Sequence, residues 1–304
     1  MAKGIIVKAL SGFYYVLEDG NELANGELVQ CRARGIFKKK GLSPLVGDRV
    51  EFERTENGEG TVTEVSPRSS ELIRPPIANM RIALLAFSVV EPDLNQQLLD
   101  KFLVHIEHAG LTPVICFTKL DLLESAADAQ LSEAVSSAAS LYRSIGYEMF
   151  ETSSKFKQGL EPIAARLAGE LTVIAGQSGV GKSSLLNALI PGIDLETNAI
   201  SMKLGRGKHT TRHVELLPLG GGGWVADTPG FSQLDFAEIE AEQLGGCFPE
   251  FVPLSEQCKF RGCLHLHEPS CEVRAAAERG GVAASRYEHY LQFLQIIRDR
   301  PRRY

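Results

Sequence analysis

The sequence predicts a multidomain α/β protein, and three patterns along the chain indicate it. Short alternating apolar runs fill residues 1–68, strands and helices alternate through residues 69–236, and cysteines lie among helical segments in residues 237–304. A chain of 304 residues is long enough for two or three domains. Its apolar content of 44% and charged content of 23% exclude a mostly disordered or coiled-coil chain.

Residues 1–68 have the pattern of a small closed β-barrel. Turn signals such as Asn25-Gly26 and Asn57-Gly58 separate its apolar runs. The predicted strands are Gly4–Leu10, Phe13–Leu17, Leu28–Ala33, Arg49–Phe52 and Gly60–Val65. Short strands at this density favour a barrel of the OB type, with an SH3-like barrel as the main alternative. Pro67 and the pair Pro75-Pro76 mark a boundary after it.

From about residue 78, apolar strands alternate with helical segments. The predicted strands are Arg81–Val90, Thr112–Thr118, Tyr147–Thr152, Leu171–Ala175, Val214–Leu219 and Gly223–Ala226. The predicted helices are Leu94–Ala109, Asp128–Ile145, Leu160–Leu167 and Ser183–Ile190, followed in the last region by Glu272–Arg279 and Ala284–Arg298. This alternation predicts a Rossmann-like α/β sheet that binds its ligand at the carboxyl ends of its strands.

A phosphate-binding loop follows the strand Leu171–Ala175. The segment matches G-x-x-x-x-G-K-[ST] and lies between a strand and a helix, which is the context that the motif requires. Its backbone N–H groups and the helix N-terminus would hold phosphates, Lys182 would reach the β- and γ-phosphates, and Ser183 would bind Mg²⁺. The residues predicted to contact phosphates are Gly176, Gln177, Ser178, Gly179, Val180, Gly181, Lys182, Ser183 and Ser184.

Two strand ends that precede this loop carry base-reading motifs. The first resembles the N-K-x-D motif of GTPases and consists of Thr118, Lys119, Leu120 and Asp121. A carboxylate at Asp121 can accept hydrogen bonds from both guanine N–H groups, a pair that adenine does not offer. Thr118 replaces the Asn of the motif, which removes an amide that tethers the base loop. Ser153 and Ser154 belong to a segment similar to the S-A-K loop, which contacts the guanine oxygen.

A D-x-x-G motif follows the phosphate loop, at the end of the strand before Asp227. Asp227 would hold Mg²⁺ through water, and the Gly230 N–H would sense the γ-phosphate. In an ordinary GTPase the base motifs come last, whereas here they precede the phosphate loop. The order therefore predicts a circularly permuted GTPase domain. The segment after D-x-x-G then leads directly into residues 237–304, so that nucleotide-dependent motion can be passed to that region.

The stretch between Glu196 and Glu215 contains no acidic residue and is predicted to be the switch region. Thr210 or Thr211 would supply the second hydroxyl to Mg²⁺. Phe231 occupies the position where many GTPases carry a water-orienting Gln. One interpretation is a slow switch that has no catalytic side chain. The other is that His209 orients the attacking water. For His209 itself, the alternative role is a contact with RNA phosphate.

The last region contains a compact set of metal-ligand residues, Cys258, Cys263, His265 and Cys271. Three thiolates and an imidazole are a common tetrahedral Zn²⁺ set, and four protein ligands predict one structural ion per chain. A cysteine cluster without metal is the alternative, and Cys247 and His267 are possible substitute ligands. Cys31 and Cys116 lie in apolar strands and are predicted to be core thiols.

Charge and hydropathy restrict the partners and the compartment. No apolar run reaches membrane-spanning length and the N-terminus turns polar early, so we expect a cytoplasmic protein. The net charge of −6 argues against nucleic acid, but the basic residues are clustered in residues 31–47, 197–214 and 298–304. The clusters consist of Arg32, Arg34, Lys38, Lys39, Lys40, of Lys203, Arg206, Lys208, Arg212, and of Arg298, Arg300, Arg302, Arg303.

Together these motifs resemble the RsgA/YjeQ/YloQ family of circularly permuted GTPases over essentially the whole chain. The resemblance implies an OB-type RNA-binding domain at 1–68, a GTPase domain at 69–236 and a zinc-binding domain at 237–304. It implies slow GTP hydrolysis that the small ribosomal subunit stimulates during late maturation of that subunit. The partners so implied are GTP and GDP, the small subunit and its rRNA, with no membrane and a monomeric protein. A non-catalytic RNA-binding module and a P-loop kinase or ATPase are the rival functions.

Overall fold

The computed structural model describes residues 1–21, 26–35, 37, 41–73, 76–190, 192–193, 214–227 and 235–300. Over these ranges, eleven strands join into one sheet that contains both a barrel and a parallel layer. The C-terminal region packs as a helical layer against one helix of the parallel layer. Among the helices described, none combines the length and the apolar content needed to cross a membrane.

The first five strands form a closed barrel. They are β1 (Ala2–Leu10), β2 (Phe13–Glu18), β3 (Val29–Ala33), β4 (Arg49–Arg54) and β5 (Gly60–Val65). Strand β1 pairs with both β2 and β4, and β3 pairs in parallel with β5. Residues that point inward, such as Ile6, Cys31 and Phe52, are fully buried. The barrel is therefore as predicted, and its parallel pair favours the OB type over an SH3-like barrel of antiparallel neighbours.

A short hairpin follows the barrel, where the sequence predicted only a boundary. Its strands are β6 (Glu71–Ile73) and β7 (Pro76–Ala78). Arg68 ties the hairpin to the barrel, because its guanidinium donates to both carboxylate oxygens of buried Asp48 at 2.8 Å and to Glu71 at 2.7 Å. Strands of three residues are too short to show the alternation of apolar and polar residues that predicts a strand. The prolines in this segment also argued against a strand.

The central layer is a parallel sheet whose phosphate-loop strand lies in the middle. Its strands are β8 (Ile82–Ser88), β9 (Thr112–Thr118), β10 (Glu148–Glu151), β11 (Leu171–Ala175), β12 (Glu215–Pro218) and β13 (Trp224–Asp227). Their order is β10-β9-β8-β11-β13-β12, and only the β12–β13 pair is antiparallel. Within this layer, the strands that precede β11 in the chain (β8, β9 and β10) lie on one side of it, and those that follow (β12 and β13) lie on the other.

Helices cover both faces of this sheet. They are α1 (Gln96–His108), α2 (Leu120–Ala126), α3 (Ala129–Ile145), α4 (Leu160–Leu167) and α5 (Lys182–Leu189). Ile82 and Leu84 of β8 pack with α4 and α5, whereas Ala83 and Leu85 pack with α1 and α3. Strands buried on both faces are typical of a parallel sheet. Helix α2 was not predicted, because its residues include the base motif, which the sequence analysis placed in a loop.

The barrel and the parallel layer meet edge to edge at β1 and β12. Lys8 and Glu215 are register partners there, and the Lys8 ammonium lies 2.9 Å from a Glu215 carboxylate oxygen. The sequence predicted two separate units, and nothing in either strand indicates which distant edge it pairs with. The junction closes two sheet edges that would otherwise be exposed.

The C-terminal region is built on aromatic packing. Its helices are α6 (Ala241–Leu244), α7 (Val252–Ser255), α8 (Glu272–Glu278) and α9 (Ala284–Arg298). Phe248, Phe251 and Tyr290 are fully buried and contact one another with ring centroids 4.9 to 5.4 Å apart. The two predicted helices are present as α8 and α9, and the single turns α6 and α7 were missed.

The chain enters this region through Phe236, which fills the space between α1 and α9. Its ring lies 5.2 Å from His105 and 5.1 Å from Phe293. Arg300 secures the same segment by donating to the backbone carbonyls of Phe236 and Ile239. The sequence analysis placed Arg300 in the basic cluster of residues 298–304, and in the structure its guanidinium is held by these carbonyls. The hydrogen-bonded carbonyls belong to residues more than sixty positions away in the chain, so the sequence could not indicate them.

A buried network of charges joins the C-terminal region to the parallel layer. Arg286 of α9 donates to both Glu250 oxygens at 2.6 and 3.0 Å, and to Asp100 of α1 at 2.7 Å. Asp100 also accepts from the Tyr142 hydroxyl at 2.8 Å and lies 2.6 Å from His289 Nδ1. Arg286 and Asp100 are each 1% exposed. Each buried charge is thus neutralised and hydrogen-bonded, which is the condition for tolerating it.

Replacing Arg286 by Ala is expected to lower the free energy of unfolding by about 3–5 kcal/mol, because buried Asp100 would lose its guanidinium and keep only Tyr142 and His289, and Glu250 would lose both hydrogen bonds from Arg286. Arg166→Ala is the matched control. Arg166 makes the same two-pronged contact with Glu148, at 2.6 and 3.0 Å, but at the surface, where the loss is expected to be about 1 kcal/mol or less. Urea unfolding measures both, and equal losses would contradict a special role for the buried network.

Candidate nucleotide and metal sites

The predicted nucleotide residues converge at the carboxyl edge of the parallel sheet. Strands β9, β8, β11 and β13 are neighbours, and all four run in the same direction. The loops that follow β9 and β11 therefore open onto one side of the sheet. This edge is where α/β folds bind their ligands. The permuted order of the motifs leaves this arrangement intact, since strand neighbours, not chain order, determine which loops meet.

The phosphate loop begins at a position that only glycine can occupy. Gly176 has φ of +142°, and a Cβ there would lie 2.1 Å from the Ala86 carbonyl oxygen of β8. Gly181 ends the loop at φ +92° and is the N-cap residue of α5. Gln177, Ser178 and Gly179 between them are exposed. The close approach to β8 fixes the loop's base while its middle stays open to solvent.

The start of α5 is arranged to receive an anion. Gly181 has no side chain to cap the helix, and no acidic residue lies in its first turn. The N–H groups of the first turn therefore lack an intrahelical partner and carry the positive end of the helix dipole. Lys182 lies across the loop, with its ammonium 2.8 Å from the carbonyl oxygens of both Gly176 and Gln177. Ser183 and Ser184 are half-buried in the same turn.

The base loop is tied to the phosphate loop by one buried hydrogen bond. The Thr118 hydroxyl donates to the Val180 carbonyl at 2.5 Å, and both residues are almost fully buried. The sequence analysis noted that Thr118 lacks the amide of Asn; in the structure the Thr118 hydroxyl ties the two loops together instead. Lys119 extends over the same region and donates to the Glu91 carbonyl.

Asp121 and Ser153 form the centre of the base loop. The Ser153 hydroxyl donates to Asp121 Oδ1 at 2.7 Å, and Asp121 is 7% exposed while Ser153 is fully buried. The Leu120 N–H donates to the Thr152 carbonyl at 3.2 Å, which holds the two strand ends side by side. One carboxylate oxygen is thus fixed by Ser153. Ser154 lies half-buried in the turn that follows.

The remaining predicted nucleotide residues follow β11 in the chain. Asp227 ends β13 and pairs with Glu215 of β12, and its strand runs parallel to β11 at the same edge. The predicted water-mediated contact of Asp227 with Mg²⁺ stays a prediction. Predicted residues that lie outside the described ranges are His209, Thr210, Thr211, Gly230 and Phe231.

The predicted metal ligands meet in the C-terminal region. The Sγ atoms of Cys258, Cys263 and Cys271 and a ring nitrogen of His265 all lie within 4.8 Å of one another. The pKa of Cys263 is raised to about 12, mainly by burial and also by the neighbouring thiols, against the lowering effect of a backbone hydrogen bond with His265. Three thiols packed this closely become thiolates only beside a cation. The donor set therefore fits a structural zinc site.

The His265 ring is oriented by a residue that the sequence analysis missed. Its Nδ1 faces the sulfurs, 3.4 Å from Cys271 and 3.8 Å from Cys258, so Nδ1 is the ligand atom. Its Nε2 lies 3.1 Å from the Ser255 hydroxyl, which in turn donates to the Phe251 carbonyl at 2.8 Å. A metal on Nδ1 requires the proton on Nε2, and Ser255 accepts it. A serine one helical turn before Cys258 was the available signal.

Glu268 shapes the loop between the last two ligands and was also missed. Its carboxylate accepts backbone N–H groups of Leu264 and Leu266 at 2.9 Å and of His267 at 3.1 Å. Burial opposes ionisation, but these hydrogen bonds and one from its own N–H lower the pKa of Glu268 to about 2. Within the described ranges the ligand group contains neither Cys247, which donates to the Gln243 carbonyl, nor the exposed His267.

Two family models match most of the chain up to residue 237. A model described as RsgA GTPase matches residues 65–237, and one described as RsgA N-terminal domain matches residues 3–62. Curated relatives named small ribosomal subunit biogenesis GTPase RsgA include those of Geobacillus thermodenitrificans, at 53% identity, and Bacillus velezensis, at 52%. Both alignments span 304 residues and all of each chain.

Solved structures agree with these relatives. The crystal structure of YloQ, a circularly permuted GTPase, superposes with a TM-score of 0.84 at 44% identity, covering 100% of this chain and 97% of that one. The crystal structure of YjeQ from Thermotoga maritima gives a TM-score of 0.85 at 36% identity, covering 99% of each chain. The resemblance inferred from the motifs is thereby confirmed, and the chain belongs to the RsgA GTPase family.

Proposed function

We propose that this protein hydrolyses GTP to GDP and phosphate, binds the small ribosomal subunit late in its maturation, and uses the GTP state to time its binding and release. The observation that carries the GTPase part is the buried bond from Thr118 to Val180, which joins a base-reading loop to a phosphate loop. The subunit part is supported by the name of the full-length relatives.

In this proposal the two loops divide the recognition of the nucleotide. Residues 176–184 cradle the phosphates through backbone N–H groups, and Lys182 leaves the loop carbonyls to contact the β- and γ-phosphates. Asp121, with one oxygen fixed by Ser153, accepts the two guanine N–H groups. Ser183 and a carboxylate at Asp227 offer oxygen ligands of the kind that Mg²⁺ prefers, Asp227 through water, and Thr210 or Thr211 would complete the set.

The hydrolytic step requires a residue that orients water near the γ-phosphate. Gly230 would sense that phosphate, and Phe231 is apolar and cannot orient water. We assign the role to His209, in the basic stretch before Glu215. A slow switch without a catalytic side chain is the alternative.

The surface chemistry supports an RNA partner. Arg32 and Arg34 of the barrel are exposed, with Arg32 stacked 4.5 Å over Phe13 and Arg34 paired with Glu53 at the surface. Lys38 to Lys40, the basic residues of 197–214 and the last four residues lie outside the described ranges.

The six free cysteines suit a reducing compartment, which supports a cytoplasmic location. We further infer a monomer, since the exposed large apolar side chains lie in separate segments.

Co-sedimentation with purified small ribosomal subunits tests the proposed function. With a non-hydrolysable GTP analogue the protein should travel with the subunit, and with GDP most of it should remain in the supernatant. Equal retention with both nucleotides would contradict GTP-timed release, and no retention with either would contradict the partner.

Gly176→Ala is expected to abolish GDP and GTP binding, because the added methyl would lie 2.1 Å from the Ala86 carbonyl and displace the loop. Gly169→Ala is the matched control. Gly169 also has a positive φ, of 74°, but a Cβ there would meet no atom within 4 Å, so only about 1–2 kcal/mol of backbone strain is expected. Fluorescent-nucleotide titration compares the two; normal affinity in Gly176→Ala would refute the loop assignment.

Asp121→Ala is expected to weaken GDP binding by more than about 100-fold, because two hydrogen bonds to a charged acceptor are lost, each worth about 1.5–3 kcal/mol. The preference for GDP over ADP should disappear with them. Asp128→Ala, at the exposed N-cap of α3, should leave both affinities unchanged. Equal affinity of the unmodified protein for GDP and ADP would instead favour a kinase or ATPase.

His209→Ala is expected to retain GTP affinity and lose subunit-stimulated turnover, since water orientation affects the transition state and not the bound ground state. Phosphate release at saturating GTP, with and without small subunits, measures this. Unchanged stimulation would eliminate His209 as the water-orienting residue and favour its contact with RNA phosphate.

We propose that Cys258, Cys263, His265 and Cys271 hold one structural Zn²⁺ per chain, which elemental analysis of the purified protein should detect. Cys271→Ala should lose the metal, and Cys247→Ala should keep it, because Cys247 is buried but bonded elsewhere. Ser255→Ala should bind zinc about 10- to 100-fold more weakly, since His265 loses its orienting partner. Metal retained in Cys271→Ala would refute this ligand set.

A further inference from the structure

The loop after β10, which supplies Ser153 and Ser154, carries an exposed aromatic side chain that the proposed nucleotide site does not use. Phe156 is 62% exposed, which is the largest value for a phenylalanine in the described ranges. It lies between Lys155 and Lys157, which are also exposed. We call residues 155–157 the base-loop tip. At this loop tip the ring and its two flanking lysines together offer a partner an apolar face and positive charge.

The charge around Phe156 restricts the chemistry of that partner. No acidic residue occurs between Glu151 and Glu161. Lys155 and Lys157 form no ion pair with any residue of the described ranges. The Lys155 ammonium lies 5.4 Å from the centroid of the Phe156 ring. An apolar protein groove would have to desolvate two ammonium groups to reach this ring, whereas an RNA strand offers phosphates to the lysines and a base to the ring.

The tip is held in place by the residues that surround the base-reading pair. Ser153 and Gln158 exchange two backbone hydrogen bonds, of 3.2 and 2.9 Å, across its base. The Phe156 N–H donates to the Ser153 hydroxyl oxygen at 3.3 Å, and Lys157 turns the chain at φ of +54°. The same hydroxyl donates to Asp121. The ring is therefore presented from a closed turn, so ordering it on binding costs little.

We propose that the base-loop tip is an RNA contact, in which an unpaired base of the small-subunit rRNA stacks on Phe156 and Lys157 contacts the adjoining phosphate. This inference rests on the proposed function, because it requires the subunit to be the partner. Stacking on an exposed aromatic flanked by cations is how proteins hold single-stranded nucleic acid without reading its sequence. The contact would lie two hydrogen bonds away from the carboxylate of Asp121.

The test measures the concentration of small subunits that gives half-maximal stimulation of GTP turnover. Phe156→Ala and Phe156→Leu should raise it about 10-fold, because both lose the stacking surface. Phe156→Trp should keep or lower it, and Lys157→Ala should raise it by about 2- to 5-fold. Ile296→Ala is the control, since Ile296 is 50% exposed on α9 and has no such role. GDP affinity and turnover without subunits should match the unmodified protein in all four variants.

Photocrosslinking identifies the partner's class. The photoreactive residue p-benzoylphenylalanine at position 156 should crosslink to rRNA in the presence of subunits, and the same residue at position 296 should not. Three outcomes would each overturn the proposal. They are crosslinking to a ribosomal protein, an unchanged half-maximal subunit concentration for Phe156→Leu, and weaker GDP binding by Phe156→Ala in the absence of subunits. If small subunits neither bind nor stimulate the unmodified protein, the proposed function is overturned together with this proposal. If subunits stimulate the unmodified protein and the variants of residues 156 and 157 equally, only the RNA contact at the base-loop tip is overturned.

Discussion

The hydrogen bond from the Thr118 hydroxyl to the Val180 carbonyl is the interaction on which the nucleotide site depends. It joins the loop after β9 to the loop after β11, with β8 between the two strands. Gly176 approaches β8 from the other loop so closely that no side chain fits. Because the bond and this approach bring both loops against the same strand, a purine and its phosphates can be held at once. The two loops meet because their strands lie in one parallel sheet, even though the base loop precedes the phosphate loop in the sequence.

Because the domain is circularly permuted, the C-terminal region follows the D-x-x-G strand directly in the chain. The chain leaves the D-x-x-G strand β13 and reaches Phe236, whose ring lies between α1 and α9. The network of Asp100, Arg286 and Glu250 then fastens the C-terminal region to α1, the helix that follows β8. The carboxyl edge of the sheet, α1 and the region that carries the Cys/His group are therefore consecutive parts of one packed structure. A buried pair of charges favours one arrangement of these parts over looser ones, because any separation would strand a charge.

The sequence was most informative where local chemistry forces a structure. Gly176 and Lys182 indicated a glycine-rich turn between a strand and a helix, the cysteine spacing indicated a group of side chains that the structure brings together, and alternation predicted the barrel and the sheet. The sequence did not reveal contacts between residues that lie far apart in the chain. Neither the Lys8–Glu215 junction nor the Asp100–Arg286 pair leaves a local signal, because their members are separated by roughly two hundred residues. For Thr118 the sequence showed that the amide of Asn is missing, but it could not show that a hydroxyl at this position reaches the Val180 carbonyl.

Multiple-turnover release of phosphate from GTP, measured with and without purified small ribosomal subunits, tests the account most directly. The account predicts slow turnover by the protein alone and a large increase when subunits are added, with GTP and not ATP as the substrate. It further predicts that the increase declines steeply as salt rises, because RNA phosphates provide the contact. A turnover rate that subunits leave unchanged, or one that ATP supports equally well, would contradict it.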